Sequence, residues 1–167
     1  MIFVTVGSNP TFRFDRLIEA LGQLDPGELV VQHGPATAPR GVSEAYEWLT
    51  FEQVVNYMSE ADTVISHAGM GTIICAAQMG HVPVVMPRLA RFNETVDDHQ
   101  VHLAKVFERT GRVAVVWDTA SLPERVAGSS RRGATVTTMT AATTTEQGDG
   151  GLQNAVRGAL LEGRARA

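Results

Sequence analysis

Residues 62–87 read DTVISHAGMGTIICAAQMGHVPVVMP, and the way character changes along that stretch decides the fold. DTVISH (62–67) is a short β-branched run that predicts a strand. SHAGMGT (66–72) interrupts it with two glycines, TIICAAQMG (72–80) predicts a helix, and VPVVMP (82–87) is a second apolar run. Neither run alternates apolar with polar residues, so each strand must be covered on both faces. Two such strands joined by a helix are parallel neighbours.

The alternation extends in both directions. IFVTV (2–6) predicts a buried strand stopped by Gly7, and Phe14, Leu17, Ile18, Leu21 and Leu24 fall at helical spacing, which predicts an amphipathic helix over 13–24. ELVVQH (28–33) predicts the next strand, followed by a Gly/Pro/Ala loop through 41. AYEWL (45–49) is a short third strand, and FEQVVNYMSEA (51–61) a helix. Beyond VPVVMP, a helix is predicted over 96–110, a strand at VAVVW (113–117) and a short helix within TASLPERVAG (119–128). The predicted fold is a doubly wound, Rossmann-like α/β domain on a parallel sheet, whose ligands bind at the carboxyl ends of the strands.

The chain of 167 residues is long enough for one domain with a full core. That domain is placed at 1–127. Residues 128–150, rich in Thr, Ser, Gly and Ala, form a low-complexity linker. Residues 151–167 form a short helix with Leu152, Val156 and Leu160 on one stripe, which packs on its own domain or on a partner. A net charge of −4 argues against a nucleic-acid binder. The single cysteine, Cys75, allows no intramolecular disulfide and fits a reducing cytoplasm. The opening MIFVTVGSNP lacks the features of a leader peptide, and no apolar stretch approaches the ~20 residues of a membrane span. Work at a membrane would require another molecule as anchor.

Four loops carry polar chemistry. In SHAGMGT, a glycine turn from strand to helix lets N–H groups approach an anion at the positive helix end. The lysine of a P-loop and the third glycine of a dinucleotide fingerprint are both missing. A tight turn without a ligand is the other reading, and a lone His67 is more often structural than catalytic. GSNPTF (7–12) is a second glycine turn; were its strand to neighbour the first, two helix N-termini would converge on a diphosphate. In PRLARFNETVDDHQ (87–100), Asn93 and Glu94 occupy a loop, and His99 and Gln100 open a helix continued by Leu103, Val106 and Phe107. Polar groups on an otherwise apolar stripe need partners. Asp98, His99 and His102 match no strong metal motif, so no metal is expected. Trp48 is either a core aromatic or a flank for a planar base.

HAGMGT, the strand PVVMP and the segment DDHQ together resemble the C-terminal, donor-binding half of GT-B glycosyltransferases of family 28. The likeness covers roughly residues 1–125. It is strongest to short split members, such as the catalytic subunit of the dolichol-linked UDP-GlcNAc transferase and bacterial exopolysaccharide subunits. The resemblance implies inverting transfer from a UDP-sugar, a substrate, with no cofactor and no metal. It implies that Gly69, Met70, Gly71 and Thr72 hold the diphosphate with Gly7 and Ser8, and that Trp48 and Leu49 meet uracil. Asn93, Glu94, Asp98, His99 and Gln100 would face the donor sugar, with His67 and Glu94 as candidate catalytic groups. Relatives often carry a ribose-binding glutamate where this chain has Cys75, and a thiol cannot accept two hydroxyl bonds in its place.

GT-B enzymes are two-domain clefts, and this chain has one such domain. The resemblance therefore implies a membrane-anchored, acceptor-binding partner subunit that supplies the general base, a lipid-linked saccharide acceptor and a place at the cytoplasmic membrane face. A non-catalytic nucleotide-sugar-binding or regulatory module is the alternative. A dinucleotide-dependent oxidoreductase is disfavoured by the failed fingerprint.

Overall fold

A computed structural model describes residues 1–129; the rest of the predicted linker and the helix predicted at 151–167 lie outside the described residues. Six strands are present: β1 (Ile2–Thr5), β2 (Leu29–Gln32), β3 (Glu44–Tyr46), β4 (Thr63–His67), β5 (Val84–Met86) and β6 (Ala114–Val115). Five α-helices connect or follow them: α1 (Asp15–Ala20), α2 (Phe51–Glu60), α3 (Met70–Gln78), α4 (His99–Arg109) and α5 (Leu122–Ala127). All strand pairs are parallel, in the order β3-β2-β1-β4-β5-β6. The Rossmann-like parallel sheet expected from the sequence is therefore the fold.

The apolar runs follow from burial on both faces. On one face Val4, Val31, Ile65, Val84 and Met86 pack with Phe14, Leu17 and Leu122. On the other, Val85, Val113 and Val115 pack with Ala68, Ile73 and Ala104, flanked by Leu103 and Phe107. Phe3 stacks on Tyr57 of α2, with ring centroids 5.4 Å apart. Successive side chains point to opposite faces, so a strand covered twice is mostly apolar, and the buried polar residues Thr5, Gln32, Thr63 and Ser66 fall near strand ends.

Element ends differ from expectation where caps and turns intervene. The helix predicted over 13–24 is α1 followed by a 3₁₀ turn at Leu21–Gln23. The strand predicted at 45–49 ends at Tyr46, because Thr50 and Gln53 form a capping box that starts α2 at Phe51. The helix predicted from 96 starts at His99, since Asn93 turns the chain left-handed at φ 56°.

β1 pairs with both β2 and β4, so Thr5 lies between Gln32 and Ser66. The chain winds outward from β1 through β2 to β3, then returns to the other side of β1 as β4. Strand order thus reverses between β1 and β4, which opens a crevice at their carboxyl ends.

Candidate functional site

His67 ends β4 at that crevice, and two glycines press on its ring. A Cβ on Gly7 would lie 2.5 Å from His67 Cε1, and one on Gly69 would lie 2.2 Å from Nε2. Gly7 also has φ +83°, which a side chain resists, whereas Gly69 has an ordinary φ of −86°. The two turns noted in the sequence are therefore built around one imidazole. Gly71 differs: a Cβ there would meet nothing within 4 Å, so packing within the chain does not require it.

His67 Nδ1 is sealed from solvent and has no hydrogen-bond partner. Burial pushes the imidazole pKa down to about 4, the Arg88 charge pushes the same way, the Thr5 backbone opposes, and His99 adds a little. The ring is therefore neutral at pH 7, with one nitrogen able to donate and the other to accept. The unfolded chain takes up this proton near 6.5 and the folded chain near 4. Between those values the unfolded state binds more protons, so stability falls as pH falls. Urea unfolding of the wild type should show a loss of up to about 3 kcal/mol from pH 6.5 to 4, and His67→Gln should flatten that slope. An equal slope in both proteins would refute the buried neutral ring.

Gly69 is the N-cap of α3 and offers no side chain to the helix; the first turn holds no acidic residue. Ile73 N–H closes that turn on the Gly69 carbonyl at 3.1 Å. The N–H groups of Met70, Gly71 and Thr72 precede it and have no acceptor within the helix. Met70 is exposed. The positive end of α3 thus opens beside His67.

The convergence of two helix ends expected from GSNPTF is not what the fold builds. Residues 8–14 intervene between Gly7 and α1, whose six-residue length opens with Asp15. The Asp15 carboxylate takes Arg13 in a two-point ion pair and the Thr37 N–H, and these contacts hold it low. The acidic residue of that first turn is already paired within the chain, so this helix end differs from the uncapped start of α3. The loop is shaped instead by Asn9, whose Oδ1 accepts from Thr11 and Phe12 N–H, and Ser8 stands exposed at its start.

Gln32, which the sequence reading passed over, holds the Gly7 turn. It is buried, accepts from the Thr5 hydroxyl, and donates through Nε2 to the carbonyls of Gly7 (3.0 Å) and Glu47 (3.3 Å). Thr5 in turn accepts from Gly7 N–H at 3.1 Å. One side chain so fixes both the crevice turn and the loop leading to Trp48. Trp48 is 42% exposed beside Gly34 rather than in the core, and Leu49 is half-buried.

The 87–100 segment divides. Asn93, Asp98 and His99 are exposed, whereas Glu94 and Gln100 turn inward. Both Glu94 oxygens are engaged: Arg16 Nε and Nη2 donate to them at 3.0 and 2.8 Å, and Leu89 N–H donates at 2.9 Å. Gln100 Oε1 accepts from Arg88 N–H at 3.2 Å. Asp98 accepts from Ala90 N–H, and the His99 ring pairs with Asp97, the first residue of DDHQ. A carboxylate only accepts, so Nδ1 of His99 carries the proton of that contact.

Cys75 is buried within α3, and burial raises its thiol pKa. Among the described residues no group of three or more His, Cys, Asp or Glu is placed to hold a metal, and no helix is long and apolar enough to cross a membrane.

Comparison with known proteins bears on this geometry. A profile of the glycosyltransferase family 28 C-terminal domain matches residues 1–153. The UDP-N-acetylglucosamine transferase subunit ALG13 of Yarrowia lipolytica is 29% identical over 138 residues, covering 73% of this chain and 67% of its own. A crystal structure of the glycotransferase of kitacinnamycin superposes with a TM-score of 0.51 at 18% identity, which speaks for the fold alone. That match covers 76% of this chain but only 34% of the solved one, so this chain spans about a third of the length of that structure.

Proposed function

We propose that this chain, which belongs to glycosyltransferase family 28 as its C-terminal domain, holds a UDP-sugar in the crevice between β1 and β4 and is the donor-binding subunit of a two-component inverting transferase. The observation that carries the reading is the uncapped first turn of α3, free of acidic residues, which opens beside His67 at the crevice. A similar protein is by its name one subunit of a UDP-N-acetylglucosamine transferase.

In this reading the diphosphate lies against the N–H groups of Met70, Gly71 and Thr72, and Gly71 leaves room for it. An acceptor hydroxyl attacks the donor anomeric carbon from the face opposite the diphosphate. The new C–O bond forms as the bond to the phosphate oxygen breaks, which inverts the centre, and the electron pair leaves on UDP. Preorganised N–H dipoles take up that charge without rearranging. Neutral His67 contributes hydrogen bonding rather than charge. The exposed Trp48 flanks the base with Leu49, and Asn93, Asp98 and His99 stand where the donor sugar projects. Cys75, buried, leaves the ribose hydroxyls to other groups.

The hydroxyl proton goes to a base on a membrane-anchored partner that binds a lipid-linked saccharide. The chain then works at the cytoplasmic membrane face through that partner. The test uses the full chain. UDP should bind it alone in calorimetry, while UDP release from a panel of UDP-sugars should require the partner and lipid-linked acceptor. Transfer at full rate by this chain alone would overturn the two-component reading. Binding without turnover in any mixture would favour a non-catalytic nucleotide-sugar module.

A further inference from the structure

Arg88 is 3% exposed, two residues after the end of β5, and it is the buried cation among the described residues. Its Nη2 donates to the Val6 carbonyl at 2.9 Å, and Nη1 to those of Phe12 (3.0 Å), Arg13 (3.2 Å) and Glu94 (3.0 Å). The guanidinium lies 4.6 Å from the centre of the Phe14 ring. One side chain thus ties the loop after β1 to the loop after β5, across the top of the sheet.

All four acceptors are neutral. The nearest carboxylate, Glu94, gives its oxygens to Arg16, so the charge of Arg88 is solvated by carbonyl dipoles and not cancelled by a hydrogen-bonded anion. Burial lowers its pKa to about 10 while the Glu94 charge pulls the other way, and Arg88 stays charged at pH 7. A buried charge without a bonded counter-ion is costly to keep. It sits at the crevice wall: the Val6 carbonyl it binds directly precedes Gly7, the residue that presses on the His67 ring. The glycine turns GSNPTF and SHAGMGT contain no lysine or arginine, and Arg13, which follows the first, is paired with Asp15. The other ionisable groups in the loops around the crevice include Arg91, which is exposed and lies over the Phe92 ring, His99 with Asp97, Asp98, and the Arg16–Glu94 pair, which is neutral as a unit.

We infer that Arg88 is a positioning residue whose buried charge, acting through the walls of the crevice, stabilises the diphosphate without touching it. The inference rests on the UDP-sugar reading. It explains how a metal-free grip on a dianion could be built on two glycine turns without cations: the charge is set behind the N–H groups, where water screens it little.

Two full-length variants separate charge from scaffold. Arg88→Gln keeps two N–H donors without the charge, and Arg88→Lys keeps the charge with poorer geometry. UDP affinity should fall about tenfold or more in Arg88→Gln and within about threefold in Arg88→Lys, a difference of charge and not of contact number. The loss should be the same at about 0.1 and 0.5 M salt, as a buried charge requires. By NMR, His67 should titrate higher in Arg88→Gln than in the wild type and unchanged in Arg88→Lys. Wild-type affinity in Arg88→Gln, or equal losses in both variants, would overturn the inference. If Arg88→Gln does not fold, Arg88→Lys decides: a loss of about tenfold there overturns it. Should UDP not bind the wild type, the UDP-sugar reading fails and takes the diphosphate role of Arg88 with it; the His67 titration then reports only whether the charge reaches the crevice.

Discussion

Gly69→Ala should destabilise the protein by about 1–3 kcal/mol and abolish most nucleotide binding, although nothing in the backbone forbids the alanine. Gly69 has φ −86° and ψ 134°, which any residue adopts. The obstacle is the imidazole: the new methyl would stand 2.2 Å from His67 Nε2, 2.9 Å from Cδ2 and 3.0 Å from Cε1. Either the ring or the first turn of α3 must move, and both wall the crevice. The cause can be isolated, because His67→Ala removes the obstacle. In the double variant Gly69→Ala should then cost little, a coupling of at least about 1 kcal/mol by urea unfolding. Gly7→Ala should behave differently. Its methyl would also strike the ring, but φ +83° adds strain of about 1–3 kcal/mol that His67→Ala cannot relieve. Full rescue at 69 and partial rescue at 7 is the expected pattern. Additive losses at Gly69 and His67 would show that the ring does not lie between the two turns.

That arrangement explains what could be read from the sequence and what could not. The strands were legible because Val4, Val84 and Val85 report burial directly, and neighbouring residues on opposite faces are both apolar. The glycines of SHAGMGT were legible as a turn, but not as a seat for His67, since that role depends on Gly7 arriving from β1. The braces were not legible. Arg16 and Glu94 are 78 positions apart, and Arg88 reaches Val6 across 82. No local pattern marks such pairs; only the sheet order, with β1 near the middle, brings them together. A charged residue directly after a buried strand, as in MPR (86–88), was the available signal for Arg88. Gln32 gave a weaker one, a polar residue closing the apolar run LVV (29–31). The expected second helix end failed for a local reason, since Asn9 and Pro10 hold the chain in a turn before α1 opens.

Glu94 divides structure from chemistry most sharply. Its removal in Glu94→Ala should cost about 3–5 kcal/mol, because the variant leaves Arg16 partly buried with its counter-ion gone. Against the 5–15 kcal/mol that holds a typical domain together, such a loss brings the fold near its limit. Arg16 would keep only its bond to the Pro87 carbonyl at 2.7 Å, and Leu89 N–H would lose its acceptor. Arg16 also lies over the rings of Phe14 and Phe92, so the damage should spread into the loop that presents Asn93. Two companions give the result its meaning. Glu94→Gln still accepts a bond and should lose about 1–3 kcal/mol while binding UDP nearly as the wild type does. Arg16→Met with Glu94→Leu replaces the pair by apolar bulk and should recover most of the stability lost in Glu94→Ala. A catalytic carboxylate predicts the reverse. Glu94→Gln would then fold normally and bind the donor, yet lose about 10²–10⁴ in turnover with the reconstituted partner. The carboxylate accepts three hydrogen bonds from its own chain, two on Oε2 and one on Oε1, so taking up a proton would weaken its hold on Arg16. Glu94→Gln with the reconstituted partner separates the two roles: stability lost with turnover kept marks a brace, and turnover lost with folding kept marks a base.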